Sequence, residues 1–171
     1  MTASYPTALT ATTRFIQAGV SKVYWVPSIA STTLAATRAE LNTGSDLTAE
    51  IMSVTGFSTQ ASIVEVPDMG NRFVASVPGH IKTPQNSIEF YASKTGSDAS
   101  SFFTVDQSGY LAFLDGGDTG ASTTSLVMDV FPVRVASVSK VRDAGDNPLK
   151  VHVDFSIPSQ PKANVAVPGN P

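Results

Sequence analysis

The 171-residue chain contains no cysteine, which excludes a disulfide scaffold, a thiol nucleophile and any Cys-ligated metal or iron–sulfur centre. Charge is also scarce. Asp, Glu, Lys and Arg make up 15% of the residues, against about 25% in an average soluble domain. The 11 basic and 14 acidic groups leave a net charge of −3. A domain that wraps nucleic acid needs surplus Lys and Arg to neutralise phosphates, and that surplus is missing. No window approaches the ~18 consecutive apolar residues of a membrane span. The opening MTASYPTALTATTRF has neither the basic nor the apolar region of a secretion signal, so neither is expected.

What the chain has in quantity is hydroxyl and β-branched side chains: 21 Ser, 18 Thr, 19 Val and 7 Ile. Val, Ile and Thr lose rotamer freedom in helices and fit a pleated surface, so this composition favours strands. The length suits one domain with one sizeable core.

Along the chain, residues 1–21 read as a Ser/Thr/Ala-rich arm. The first firm strand is Lys22–Val26 (KVYWV), stopped by Pro27. Thr37, Ala39 and Leu41 alternate, which suggests a short strand and then a long turn through Asn42, Thr43, Gly44, Ser45 and Asp46. Short strand-like pieces follow at 51–55, 63–66, 73–75 and 88–93. Pro67, Gly70, Pro78, Gly79, Pro84, Gly96 and Gly109 stand as separators. One modest helix is expected over 98–103, with Ser97 or Asp98 as its cap. Residues 110–114 form an apolar strand that ends at Asp115-Gly116-Gly117-Asp118. A long strand runs over 126–141, apolar on both faces at its start, with Pro132 marking an edge, a bulge or a bend. In 149–157, Leu149, Val151, Val153, Phe155 and Ile157 alternate with Lys150, His152, Asp154 and Ser156, an amphipathic strand. The organisation is an arm (1–21), a mainly β domain (22–157) and an extended tail (158–171). The expected fold is a β-sandwich or part-open barrel with one short flanking helix.

Chemical motifs are lacking. His80 follows Pro-Gly in an expected turn, and His152 shares a polar strand face with Asp154; neither has the convergent ligands of a metal or base site. Asp98, Asp106, Asp115, Asp118 and Asp129 lie in a stretch free of Lys and Arg from Thr95 to Val133. They do not match a calcium loop. Turn-forming Asp residues explain most of them, and an acidic surface would repel a polyanion. The Asp118-Thr119-Gly120 triplet occurs once, in a chain too short for a two-lobed aspartic protease. No Gly-x-Ser-x-Gly elbow or phosphate-binding Gly-rich loop is present. The aromatics fall mainly on strands and lack the interleaved Lys and Arg of a base-stacking platform, so packing is their expected role. No catalytic residue, cofactor or metal is expected. Extended ends and little surface charge favour self-assembly.

Several segments are similar to the major tail tube protein of long-tailed bacteriophages, especially those infecting actinobacteria. They are KVYWVP (22–27), TRAELNTGSDLTAEIMS (37–53), TGFS (55–58), EVPDMGNRFV (65–74), IEFYAS (88–93), GYLAFLDGGD (109–118) and MDVFPVRVASVSK (128–140). The resemblance implies a virion protein that forms hexameric rings, stacked along a tape-measure protein and meeting tail terminator and distal tail proteins. Inner strands join into one barrel around a lumen that conducts DNA without binding it specifically. It implies assembly in the host cytoplasm and no contact with membrane. It makes 42–46 a candidate inter-ring loop and Asp98, Asp106, Asp115, Asp118 and Asp129 candidate lumen-facing acids. Another phage structural module, such as a head–tail connector, terminator or tail-tip adhesin domain, is the alternative.

Overall fold

The computed structural model describes residues 11–120 and 126–168. Its described elements run in the order β1 (Lys22–Val26), α1 (Arg38–Thr43), β2 (Ser45–Asp46), a 3-10 turn (Thr48–Glu50), β3 (Ile51–Thr55), β4 (Gln60–Val66), β5 (Ala75–Lys82), β6 (Asn86–Tyr91), α2 (Ala99–Phe102), β7 (Ser108–Leu114), β8 (Val127–Val141), β9 (Lys150–Ser156) and β10 (Lys162–Ala166). Seven strands form one antiparallel path, β2-β1-β7-β8-β9-β6-β3, and β10 pairs with β8 beside it. β4 and β5 form a separate two-stranded sheet. The chain is mainly β with sparse short helices and an open sheet, the expected class.

The sheet curls. β2 and β3 are its opposite edges, yet only the short 47–50 segment joins them. Five residue steps span at most about 18 Å, so the two edges must approach each other. The aromatic cluster shows the same curvature. Phe103 stands 5.2 Å from Trp25 on β1, 5.6 Å from Phe90 on β6 and 5.7 Å from Phe155 on β9, measured between ring centroids. Rings from strands far apart in the sheet order can meet only across a concave face. Leu111, Phe131, Val133, Val135, Val151 and Val153 complete this core.

A second core lies on the opposite face and covers only one half of the sheet. Val26, Ala112, Leu114, Met128 and Val130 pack there under Ile29, Ala36, Leu41 and Val167. The strand residues of the two cores alternate along β1, β7 and β8, as the pleat requires. Val127 is exposed, so burial on both sides of β8 begins at Val130 and runs to Val133 rather than at the strand's start. Pro132 falls between two ladders. β10 pairs β8 at 127–130, and β9 takes over at Arg134. A residue without an N–H is tolerated at that junction.

Several expectations are corrected. Residues 37–41 are not a strand. Thr37 caps α1, its hydroxyl accepting from Glu40 N while the Glu40 carboxylate accepts from Thr37 N, a full capping box. Thus the described residues hold two short α-helices, not one. Pro78, Gly79 and His80 lie inside β5, not in a turn. β5 pairs only with β4, and its register shifts there, which leaves room for a Pro in a strand. Gly109 does not separate elements but sits within β7, where any Cβ would collide with the Trp25 indole. Of the 73–75 piece, only Ala75 is in a strand. The helix over 98–103 is found as α2 with Asp98 as its cap. Residues 11–16 have no regular structure, and residues 1–10 of the expected arm lie outside the described residues.

Candidate functional site

The half of the convex face that the second core leaves uncovered is polar. It is built from the alternate residues of β3, β6, β9 and β8. Ser53 is opposite Glu89, Glu89 opposite His152, and His152 opposite Ser139, one row across four strands. Ser53 Oγ donates to Glu89 Oε2 at 2.9 Å, and Lys150 Nζ reaches the same oxygen at 3.4 Å. His152 Nε2 lies 3.1 Å from Asp154 Oδ1, and Ser137 Oγ donates to Asp154 Oδ2 at 2.7 Å. The Ser53 and Ser137 hydroxyls, first among other donors, hold the Glu89 and Asp154 carboxyls below their ordinary range. The face therefore carries mixed, mutually paired charge, with no long apolar run and no unbalanced positive patch.

The five candidate aspartates do not converge. Asp118 is enclosed, its side chain 6% exposed. Arg38 Nη1 and Nη2 donate to its two oxygens at 2.8 Å each, and Tyr24 Oη and Gly120 N add two more donors. The Arg38 hydrogen bonds lead in pulling its carboxyl down to about 2, against the opposing effect of burial. Burial and the facing Asp118 carboxylate raise the Tyr24 phenol well above its usual value. Asp98 is enclosed as well, accepting from Ser100 Oγ at 2.6 Å, Ser100 N at 2.9 Å and Ser93 N at 3.0 Å. Both buried carboxylates act within the subunit, clamping a loop and capping a helix.

Asp106, Asp115 and Asp129 reach solvent. Asp106 precedes β7 and pairs with Arg134 at 3.1 Å. Asp115 follows β7 at its other end and, with Asp129, borders a shallow depression floored by Phe57, Phe113 and Phe131. Asp129 Oδ1 accepts from Asn164 N at 2.7 Å. Residues 42–46 are not a long turn. Asn42 and Thr43 end α1, Gly44 caps it, and Ser45 and Asp46 form β2 against Trp25 and Tyr24. Asp46 also bonds Lys22 Nζ at 3.0 Å.

Among the described residues, no group of three or more His, Asp or Glu side chains is arranged to hold a metal ion. His80 stands in the β4–β5 hairpin and His152 on β9, in different sheets. A depression of about 430 Å³ is open to solvent and lined by Thr59, Ile81, Lys82, Thr83 and residues 157–161, with no acid or His. What the molecule does present is unfinished surface. Among the described residues β3 bonds only β6, so its other side is an open ladder edge there. The β4–β5 hairpin exposes Ile63 (76%), Phe73 (73%) and Ile81 (63%). Reading the sequence missed both the hairpin's length and the Arg38–Asp118 clamp. The T-x-x-E spacing of Thr37 to Glu40 was available to reveal α1, whereas nothing local links residues 38 and 118.

A family model described as phage tail tube protein matches residues 9–170. No curated protein matches the chain. Among solved structures, it is similar to a chain of the 6-fold symmetrised cryo-EM structure of the anti-feeding prophage baseplate. The TM-score is 0.59 at 7% identity, over 90% of this chain and 96% of that one, a likeness of fold. Two structures of the phage p2 baseplate in its activated conformation, with Sr and with Ca, align with TM-scores of 0.46 and 0.45. Their identities are 16% and 14%, and this chain spans 46% and 45% of theirs.

Proposed function

The chain belongs to the phage tail tube protein family, and from that premise we propose that it polymerises as stacked hexameric rings whose bore conducts DNA into the host. The observation that carries this reading is the open sheet: among the described residues, β3 ends the path with one ladder side unpaired. Cyclic closure of several copies would pair such edges and remove them. The uncovered polar half-face of β3, β6, β9 and β8 then continues from copy to copy and lines the bore. Its paired charges suit a conduit, because a wall without excess Lys or Arg gives DNA no counterion-release affinity. Of the candidate lumen acids, Asp106, Asp115 and Asp129 have carboxylates within reach of solvent, and in this reading they are the ones left to face a lumen or a neighbouring copy.

Residues 42–46 serve in this reading as a short, hydrogen-bonded corner between rings, and residues 1–21 and 158–171 as the segments flanking the domain. The partners are other copies, a tape-measure protein, a terminator and distal tail proteins, with assembly in the cytoplasm of the host. The segments shared with tail tubes of long-tailed phages support that type and an actinobacterial host. Polymerisation of this kind needs no chemistry, in keeping with the absence of catalytic motifs from the sequence.

Negative-stain electron microscopy of the purified protein tests the proposal. Rings or tubes about 100 Å wide are expected, a width set by a ring of domains each about 25–30 Å across. A monomer that stays monodisperse at high concentration, and forms no tubes when seeded, would overturn it. Rings of fixed size that never stack would point to a terminator instead.

A further inference from the structure

Resting on the reading that the polar half-face lines a bore, we infer that His152 is a proton switch in that wall, which removes its excess negative charge in mild acid. Histidine is the side chain that changes charge between about pH 8 and pH 5. The His152 ring lies between two carboxylates. Nε2 faces Asp154 Oδ1 at 3.1 Å, and Nδ1 faces Glu89 Oε1 at 4.0 Å. The three side chains are between 25% and 29% exposed, so solvent screens them only in part.

The hydrogen bonds fix where the proton goes. The Ser53 and Ser137 hydroxyls lead in holding the Glu89 and Asp154 carboxyls below their ordinary range. Both are therefore ionised throughout this window and can only accept. At 3.1 Å the Asp154 contact is a hydrogen bond, so Nε2 carries the N–H of the neutral ring. Nδ1 is then the bare nitrogen, and a second proton enters there, beside Glu89. The neutral ring serves one carboxylate; the imidazolium serves both.

The other groups facing the ring keep their charge. On β9 itself, Lys150 Nζ reaches Glu89 Oε2 at 3.4 Å, and a lysine gives up its proton only far above this window. β6 brings Glu89 and, opposite Lys150, the Tyr91 phenol. β8 brings Ser137, Ser139 and Val141 opposite Asp154, His152 and Lys150. Farther along β8, Arg134 is offset by Asp106 at 3.1 Å. β3 adds Ser53, and Gln85 Nε2 lies 3.4 Å from Asp154 Oδ1. Two carboxylates against one ammonium leave the cluster negative with a neutral ring and balanced with an imidazolium. Each copy around a ring would repeat the change. A negative bore excludes a polyanion more strongly than a neutral one, most clearly at ~0.01 M salt, where the Debye length is ~30 Å.

Two measurements test the switch. In the soluble subunit, nitrogen NMR of the His152 ring should show Nε2 protonated at pH 8 and Nδ1 gaining its proton toward pH 5. The Glu89 and Asp154 carboxyl carbons should move at the same midpoint. His152→Gln should abolish those carboxyl movements, and His80→Gln, in the other sheet, should leave them unchanged. In assembled tubes at low salt, a short fluorescent oligonucleotide should partition into the bore at least threefold more at pH 5 than at pH 8. His152→Gln should remove that gain and His80→Gln should keep it. If the carboxyl carbons do not follow the ring, or wild-type tubes take up the probe equally at both pH values, the switch is wrong and the tube reading stands. If wild-type protein forms no tubes at all, both fall.

Discussion

The curled sheet and the β4–β5 hairpin are made from the same β-branched vocabulary but are finished to different degrees. In the sheet, Ile88, Leu111, Val130, Val133, Val135, Val151 and Val153 are essentially without solvent exposure. In the hairpin, Val64, Val66 and Val77 are about half exposed, and Ile63 more so. Side-chain chemistry does not separate them. Topology does: each central strand of the sheet has neighbours on both sides and a layer over its concave face, while the hairpin has one neighbour and no layer. Stability should therefore reside in the sheet, and association in the hairpin and the open edge.

That division can be broken by substitution. The largest effect should come from Phe103→Ala, which removes the ring joining Trp25, Phe90 and Phe155. It should cost about 3–5 kcal/mol in chemical denaturation of the subunit. Arg38→Ala should follow at about 3 kcal/mol. That is the low end for breaking a buried pair, because Asp118 keeps Tyr24 and Gly120 as donors.

Acid gives a third and smaller test. The Asp118 carboxyl lies at about 2 in the folded protein, below its ordinary 3.8. The unfolded chain therefore takes up the proton first as pH falls. Asp118 contributes full stability above about pH 4, and this is lost as pH drops from about 4 through about 2, on the order of 2 kcal/mol. Asp118→Asn should flatten that part of the stability–pH profile; an unchanged profile would remove the clamp from the account. The smallest effect belongs to the hairpin. Ile63→Ser should shift subunit stability by no more than about 0.5 kcal/mol, as read from its denaturant midpoint. A loss as large as that of Phe103→Ala would mean that the hairpin is part of the subunit's own core.

Much of the fold was legible in the sequence because it rests on local signals. Alternation marked β1 and β9, the unbroken apolar run marked β7, and Asp98 announced α2. The failures have physical causes. Six-residue α1 carries too few turns to show a helical period, and its alternating Thr37, Ala39 and Leu41 imitate a strand. Pro78 and Gly79 usually interrupt strands, but β5 lacks a second neighbour and has a register shift that absorbs them. Gly109 is in a strand because a strand glycine lets the Trp25 ring lie against the backbone. Of the aspartates, the run free of basic residues was visible, but the enclosure of Asp98 and Asp118 was not. The partner of Asp118 is 80 residues away in the chain.

Hydrogen exchange, compared between the soluble subunit and the assembled particle, addresses the central claim that other copies complete these surfaces. Amides of β7 and β8 should be protected in both states, since their ladders are already formed. Amides along β3 and through residues 60–82 should exchange quickly in the subunit and slow by at least tenfold on assembly. Equal exchange of those segments in the two states would contradict the account.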